Sequence, residues 1–422
     1  MIEGRDIVCV SFVTWDDHWG TPQQLMSRLA QHNRILYVDQ AISPLSLFTG
    51  IRSRGAVMRQ FHRWRSGYRE VAKNVYAAAP PPVLPWRSFK PINALNGLLL
   101  RRWLARQVRG LGFKDTIFWN FQPLLPGLAA ATRPAARVYH CVDEFSAVPY
   151  WFNSASSARA REAECCREAD LIICTGRTLV EWRRAINPNT HFVGNAGNFP
   201  LFSKAALPAT PVPDDIARLP GKVVGMLGVI DFRLDVDLIA YLAARRPEWS
   251  LALVGRVKGD APLDRLRAYP NVHVLGFKPT EDLPGYLKGM DACLIPYALN
   301  QYTHHVFPLK LYDYMAAGKP IVSSDMAEIR SAEGRGFTIA RSREEFLSEI
   351  DRAIAEDSSQ RVAERQNLAS TQTWDHRVEE VSELISSLGP QNAPKPEASW
   401  PSKRAVTSEP GAGRSPMGGN HG

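Results

Sequence analysis

The sequence predicts an α/β protein made of two Rossmann-like, parallel-sheet units. Two patterns carry that expectation. Short runs rich in Val, Ile, Leu and Cys alternate with amphipathic helical stretches along most of the chain. The alternation pauses once, at 199–220, where Pro200, Pro208, Pro211, Pro213 and Pro220 cluster, and then resumes. At 422 residues, 45% of them hydrophobic, the chain is long enough for two domains with sizeable cores.

In the first unit, 7–13 reads as a buried strand, 15–20 as a loop, 22–30 as a helix and 35–38 as the second strand. No Gly-x-Gly-x-x-Gly fingerprint follows the first strand, which disfavours a dinucleotide-binding domain. Further strands are expected at 75–79, 116–119, 137–142, 171–174 and 191–193, with a helix near 179–185. The second unit has expected strands at 223–227, 251–254, 272–275, 292–296 and 321–323. Its helices are expected at 234–244, 263–268, 283–288, 309–317 and 343–356. The resulting division is 1–198, a linker at 199–220, 221–372, a closing helix within 373–388, and a tail at 389–422. That tail is rich in Pro, Ser, Gly and Asn without periodicity, and reads as disordered.

Composition narrows the function. Cys9, Cys141, Cys165, Cys166, Cys174 and Cys293 show no Cys-x-x-Cys spacing, which fits reduced thiols in a cytoplasmic protein rather than disulfides or zinc. The N-terminus runs straight into a strand, without a signal-peptide pattern, and no apolar run approaches membrane-spanning length. The net charge of +9 is uneven: residues 1–200 hold 25 Lys and Arg against 14 Asp and Glu, and the remainder 26 against 28. Within 52–114 there are 14 basic residues and a single acid, Glu70.

The densest chemistry lies in 304–324. Pro308 suits the first helical position, where no N–H is required. Gly318 fits just past the helix end, and Pro320 forbids continuation. A helix start presents free N–H groups, which attract anions. Lys310 lies in that first turn and Asp313 three residues on. A cation there suits a phosphate, and a carboxylate one turn deeper suits sugar hydroxyls. The same spacing also describes a surface helix decorated with a Lys–Asp pair.

The run Pro-Leu-Lys-Leu-Tyr-Asp-Tyr-Met-Ala-Ala-Gly-Lys-Pro-Ile-Val-Ser at 308–323 resembles the donor-site signature of group 1 (family 4) glycosyltransferases of the GT-B fold. That resemblance implies two Rossmann-like domains facing a cleft, with Leu309 and Lys310 at the donor. It places Asp313 where the second acid of a Glu–seven residues–Glu motif binds the nucleotide ribose. The first Glu falls at His305, a departure that concerns the sugar more than the nucleotide. Matching blocks extend over roughly 223–330. Among them, Gly228 lets backbone approach a ligand, Arg233 is placed to reach a diphosphate, and the backbone near Phe277 is placed to contact the base. In the first unit, Asp143 stands where many members carry a functional His, although an aspartate there also suits a turn or a helix cap. Trp19 and Gly20, with Gln23, sit in the loop that approaches donor and acceptor, and His140 reads as packed. The clusters Asp16-Asp17-His18 and His304-His305 lack metal-ligand spacing. No metal and no other cofactor is expected.

In the basic stretch, Arg102, Arg106 and Arg109 share one helix face, and Leu100, Leu104, Val108 and Leu111 another. With Trp86 and Trp103 nearby, this suits an anionic membrane surface. It also suits nucleic acid, or an ordinary helix packed on its sheet. The expected function is a retaining, metal-independent glycosyltransferase. It would move a sugar from a nucleotide-sugar to a glycan or lipid-linked acceptor in bacterial surface or exopolysaccharide synthesis, at the inner face of the plasma membrane. A sugar-nucleotide epimerase of the same fold, using Asp143 and His305, remains an alternative. So does a non-catalytic protein that binds nucleotide-sugar or nucleic acid.

Overall fold

The computed structural model describes residues 1–17, 19–42, 54–84, 90–123, 127–148, 154–259, 261–332 and 335–389. His18, Trp86 and the tail after Gly389, with its expected disorder, lie outside the described residues.

The first sheet holds eight strands: β1 (Asp6–Val10), β2 (Arg34–Val38), β3 (Tyr68–Ala72), β4 (Val75–Ala78), β5 (Ile117–Asn120), β6 (Ala136–Cys141), β7 (Leu171–Cys174) and β8 (Thr190–Phe192). They lie in the order β3-β4-β2-β1-β5-β6-β7-β8. All neighbours run parallel except β3, which is antiparallel to β4. The helices of this half are α1 (Thr21–Leu29), α2 (Arg54–Ser66), α3 (Lys90–Gly110), α4 (Ala155–Glu168) and α5 (Val180–Ile186). Two short helices follow, α6 (Phe199–Phe202) and α7 (Asp214–Ala217).

The second sheet has six parallel strands: β9 (Val223–Leu227), β10 (Ser250–Val254), β11 (Val272–Gly276), β12 (Ala292–Ile295), β13 (Ile321–Ser324) and β14 (Thr338–Ala340). Their order is β11-β10-β9-β12-β13-β14. Its helices are α8 (Val236–Arg245), α9 (Leu283–Lys288), α10 (Lys310–Ala316), α11 (Arg343–Ala355), α12 (Ser359–Thr371) and α13 (Trp374–Ser386). The expected class, two parallel-sheet α/β units, is what the structure has. Each residue of β1, β5, β7, β9, β10 and β12 is buried. Helices cover both faces, so these strands read as unbroken apolar runs.

Two strands escaped the sequence reading. β3 spells Tyr-Arg-Glu-Val-Ala and is mostly exposed, so it carries no buried-strand pattern. β14 is three residues long. The helix expected at 263–268 is a single 3-10 turn, Leu263–Leu266. The proline-rich stretch 199–220 is not a bare linker: Phe202, Ala205 and Ile216 sink into the core of the second sheet. All six cysteines are buried and unpaired. Among the described residues, no helix is long and apolar enough to cross a membrane.

Candidate functional site

The site assembles at the carboxyl ends of the strands, where open α/β sheets bind ligands. α10 is its pivot. Leu311 N–H already bonds Pro308 C=O at 3.0 Å, so the turn opens at the proline. The helix stops in a Schellman motif: Gly318 has φ +73°, its N–H bonds Met315 C=O, and Lys319 N–H bonds Tyr314 C=O. Leu311, Tyr314, Met315 and Ala316 are buried, and the Tyr314 hydroxyl accepts from Leu227 N–H at 2.7 Å, tying α10 to the end of β9.

That tether brings Lys310 onto the turn after β9. Gly228 there has φ +123°, and a Cβ on it would lie 3.3 Å from Lys310 Nζ. Gly255, one strand over, has φ +152°, and a Cβ on it would meet Gly228 C=O at 1.8 Å. Two glycines therefore press backbone against backbone beneath the ammonium. Nζ is shut off from water, lies 4.9 Å from the centroid of the Tyr297 ring, and has no well-directed hydrogen-bond acceptor among the described residues. Burial pushes the Tyr297 hydroxyl up, but the charges of Lys310 and Arg233, with a weak hydrogen bond from Lys310, outweigh it and hold the group below its ordinary value. An ammonium so placed is destabilising until an anion reaches it.

Asp313 sits three residues further along α10. One carboxylate oxygen accepts from Asn198 N–H at 2.9 Å, so the helix also grips the chain as it leaves the first sheet. Burial pushes Asp313 up to about 7, against the opposing pull of Asn198 N–H and Lys310. Its second oxygen has no hydrogen-bond partner among the described residues.

Residues 222–356, which contain this constellation, match the family model described as glycosyl transferases group 1. The chain is 26% identical over 347 residues to "Putative teichuronic acid biosynthesis glycosyltransferase TuaH" of Bacillus subtilis (strain 168), covering 72% of this chain and 87% of that protein. Anabaena Alr3699/HepE in complex with UDP and glucose superposes with a TM-score of 0.59 at 17% identity, over 90% of this chain and 99% of that one. Sucrose-phosphate synthase of Thermosynechococcus elongatus gives 0.66 at 15% identity, over 91% and 99%. The fold is GT-B, and residues 222–356 are similar to group 1 glycosyltransferases.

The structure distributes the other expected site residues unevenly. Arg233 does not stand free for a diphosphate. Its Nε and Nη2 bond the two oxygens of Asp231 at 2.8 and 2.9 Å, because that buried carboxylate lies two residues away. Gly20 N–H is likewise engaged, by the side chain of Gln23 at 3.1 Å. Trp19 is 43% exposed and leans on Trp15. Phe277, 60% exposed, follows Gly276, with the Arg256 guanidinium 5.3 Å from its ring centroid. Leu309 packs against the core of the first sheet. His140 is buried, stacks on Phe121 and is pushed down to about 3 by burial, as a packed residue should be.

Asp143, after β6, reaches across to the second sheet: the Tyr302 hydroxyl donates to it at 2.9 Å. Burial pushes it up to about 6, opposed by that hydrogen bond and by Arg233. His305 Nδ1 lies 2.8 Å from Thr178 Oγ1, another contact between the sheets. Asp16 pairs with Arg63 and Arg69, and Asp17 with Arg256, so this acidic loop is neutralised by arginines. Tyr297, Tyr302, Thr178 and Glu328 were missed from sequence, since each acts on a partner distant in the chain. The Tyr in Ile-Pro-Tyr at 295–297, directly after a strand, was the one available signal. A cavity of about 510 Å³ lined by Arg5, Asp6, Arg34 and Lys114 lies at the opposite, amino ends of β1 and β2 and takes no part.

Proposed function

We propose that this enzyme takes its sugar from a nucleoside-diphosphate donor seated on α10 and passes it, with retention of configuration, to a glycan or lipid-linked acceptor in bacterial surface polysaccharide synthesis. The observation that carries the reading is the buried ammonium of Lys310, which lies above the Gly228–Gly255 turn and has no anionic partner among the described residues. An arriving diphosphate satisfies it, and the same contact strengthens as negative charge gathers on the leaving group. The free oxygen of Asp313 then takes ribose hydroxyls, and Phe277 lies beside the base. HepE, in complex with UDP-glucose, and the E. coli trehalose-6-phosphate structure with UDP-2-fluoro glucose share this architecture and support a UDP-sugar as the first donor to try. Lys310 supplies the positive charge, so the proposal calls on no metal.

On the acceptor side we assign Asp143 and the Trp19–Gly20 loop. The relative named for teichuronic acid biosynthesis supports a glycan as acceptor. α3 then rests on an anionic leaflet, with Arg102, Arg106 and Arg109 exposed along it and Leu95, Leu98 and Leu99 exposed nearer its start. The experiment is calorimetry with UDP, GDP, ADP and dTDP on the protein and on Lys310→Ala. At least one nucleotide should bind the former and be lost from the latter. Equal binding to both removes the donor site from α10.

A further inference from the structure

Three residues far apart in sequence meet where the two sheets face each other. Thr178 lies on the 3-10 turn Arg177–Leu179 after β7. Glu328 lies in the 3-10 stretch Ala327–Ala332 after β13. His305 ends the turn Thr303–His305 before α10. Glu328 is 6% exposed and forms no ion pair with Lys or Arg among the described residues. Its Oε2 accepts from Arg177 N–H at 2.7 Å, and its Oε1 from Thr178 N–H at 2.7 Å and from the Thr178 hydroxyl. Gly176 leaves room for it: a Cβ there would stand 2.8 Å from Oε1. The same Thr178 oxygen is 2.8 Å from His305 Nδ1.

The protons can be placed by counting donors. Both Glu328 oxygens face N–H groups, so both act as acceptors. A threonine hydroxyl has one hydrogen, and here it is spent on Oε1. Towards His305 the Thr178 oxygen is therefore an acceptor, and Nδ1 must carry a hydrogen. Burial lowers His305 from its ordinary value; Glu144 and Glu328 raise it, while His304 and Arg183 lower it further. The neutral ring then keeps its single hydrogen on Nδ1 and presents Nε2 as a bare lone pair. Nε2 has no hydrogen-bond partner among the described residues, and the ring is half-buried.

A lone pair of this kind selects a hydroxyl and rejects a carboxylate or phosphate. Five residues later comes Lys310, where the diphosphate is placed above; the hydroxyls on one side of a diphosphate in such a donor belong to the ribose, given above to Asp313, and those on the other to the sugar. We propose that Thr178 and Glu328 are positioning residues that lock His305 in its Nδ1–H form, so that Nε2 accepts a hydroxyl of the transferred sugar. The proposal rests on the donor reading of α10. Because the lock draws on both sheets, sugar recognition depends on their being together.

Nitrogen-15 NMR of the full chain tests the first half, with the His305 signals assigned by their loss in His305→Gln. Protonated Nδ1 and bare Nε2 are expected in the unaltered protein and in Thr178→Ser. Thr178→Val should mix the two forms. Glu328→Gln is the poorer variant, since it also disturbs the backbone N–H contacts, whereas Thr178→Val keeps them. Titration with UDP and UDP-glucose (or the matching pair for whichever nucleotide binds) tests the second half. Thr178→Val should weaken the sugar nucleotide roughly five- to tenfold relative to the bare nucleotide, the scale of one neutral hydrogen bond. Thr178→Ser should not. A hydrogen on Nε2 in the unaltered protein, or an unchanged affinity ratio in Thr178→Val, overturns the proposal while leaving the donor site standing. If no nucleotide of the panel binds, both readings fall.

Discussion

An ammonium shut off from water without a full counter-charge costs a folded protein of order 1–3 kcal/mol or more. Lys310 carries that cost in the unliganded enzyme. Removing it should therefore have opposite effects on stability and binding. Lys310→Met should raise the melting temperature without ligand by about 1–3 °C and weaken UDP binding by roughly 10- to 100-fold, the scale of a hydrogen bond to a charged group. Thermal shift with and without UDP checks both. A variant that melts lower yet still gains from UDP would show that the charge is answered inside the protein. Asp313 adds a dependence on pH. Its carboxyl titrates near 7 when folded, far above an exposed aspartate, because burial disfavours the charge. Between pH of about 4 and 7 the folded state thus holds a proton that the unfolded chain has released, so stability falls as pH rises through that window. Asp143 and Asp39, both pushed up to about 6, act in the same direction. The clean readout is the difference: Asp313→Asn should gain stability over the parent from pH 5 to 7.5 in urea unfolding, and parallel curves would refute the assignment. Lys310, Asp313 and Gly318 were legible because helix starts and stops are written in adjacent residues. The partner of Arg233 was not, since a nearby buried carboxylate and an absent diphosphate suit a guanidinium equally well. Thr178 and Glu328 were illegible for another reason: 150 residues separate them, and only the fold joins them.

Among the elements, the strands with one unbroken apolar run lie where the sequence placed them, whereas α2, α4, α12 and the elements that borrow their stability from neighbours were not expected. β3 is held by a ladder to β4 rather than by its own pattern, and α6 and α7 by single side chains dropped into the second core. α3 is the instructive case. Its apolar face was read correctly, and Leu100, Leu104 and Val108 are buried against the first sheet. Trp103 packs on that same core, so it is not free to insert into lipid. What remains outside is Arg102, Arg106 and Arg109, with Leu95 and Leu99 each 44% exposed. Each basic residue near an anionic leaflet contributes about 1 kcal/mol. Changing the three arginines to Gln should lower binding to phosphatidylserine vesicles by roughly two orders of magnitude and leave the melting temperature within a degree or so. Leu99→Gln should weaken binding without changing its dependence on salt. Flotation of the parent protein that is indifferent to lipid charge would end the membrane reading.

At the level of the whole molecule, the chain crosses between the sheets twice, and the crossings touch. It leaves the first sheet through Asn195–Gly197 and returns through Gln372–Thr373; Gly197 N–H bonds Gln372 C=O at 3.0 Å, and Gly197 and Thr373 form a bridge. Among the described residues, paired crossings at one point leave the rest of the facing surfaces joined through side chains, the arrangement of a hinge. The return has a structural price of its own, because α13 belongs to the first sheet although it ends the described chain. Trp374, Val378, Val381 and Ile385 lie in one core with Leu25, Met26 and Leu29 of α1 and with strands β1, β2 and β5. Four such side chains contribute about 6–12 kcal/mol at 1.5–3 kcal/mol each, comparable to the whole stability of a domain. Ending the chain at Thr373 should therefore unfold the first sheet selectively. Hydrogen exchange should show β1, β2 and β5 losing protection while β9, β10 and β12 keep theirs, since the second sheet has cores of its own. Trp374→Ala should give a graded version, costing about 3–5 kcal/mol with the fold intact. Uniform loss across both sheets would mean that the molecule folds as one cooperative body. Unchanged protection in β1 would mean that α13 is an ornament on a sheet already complete.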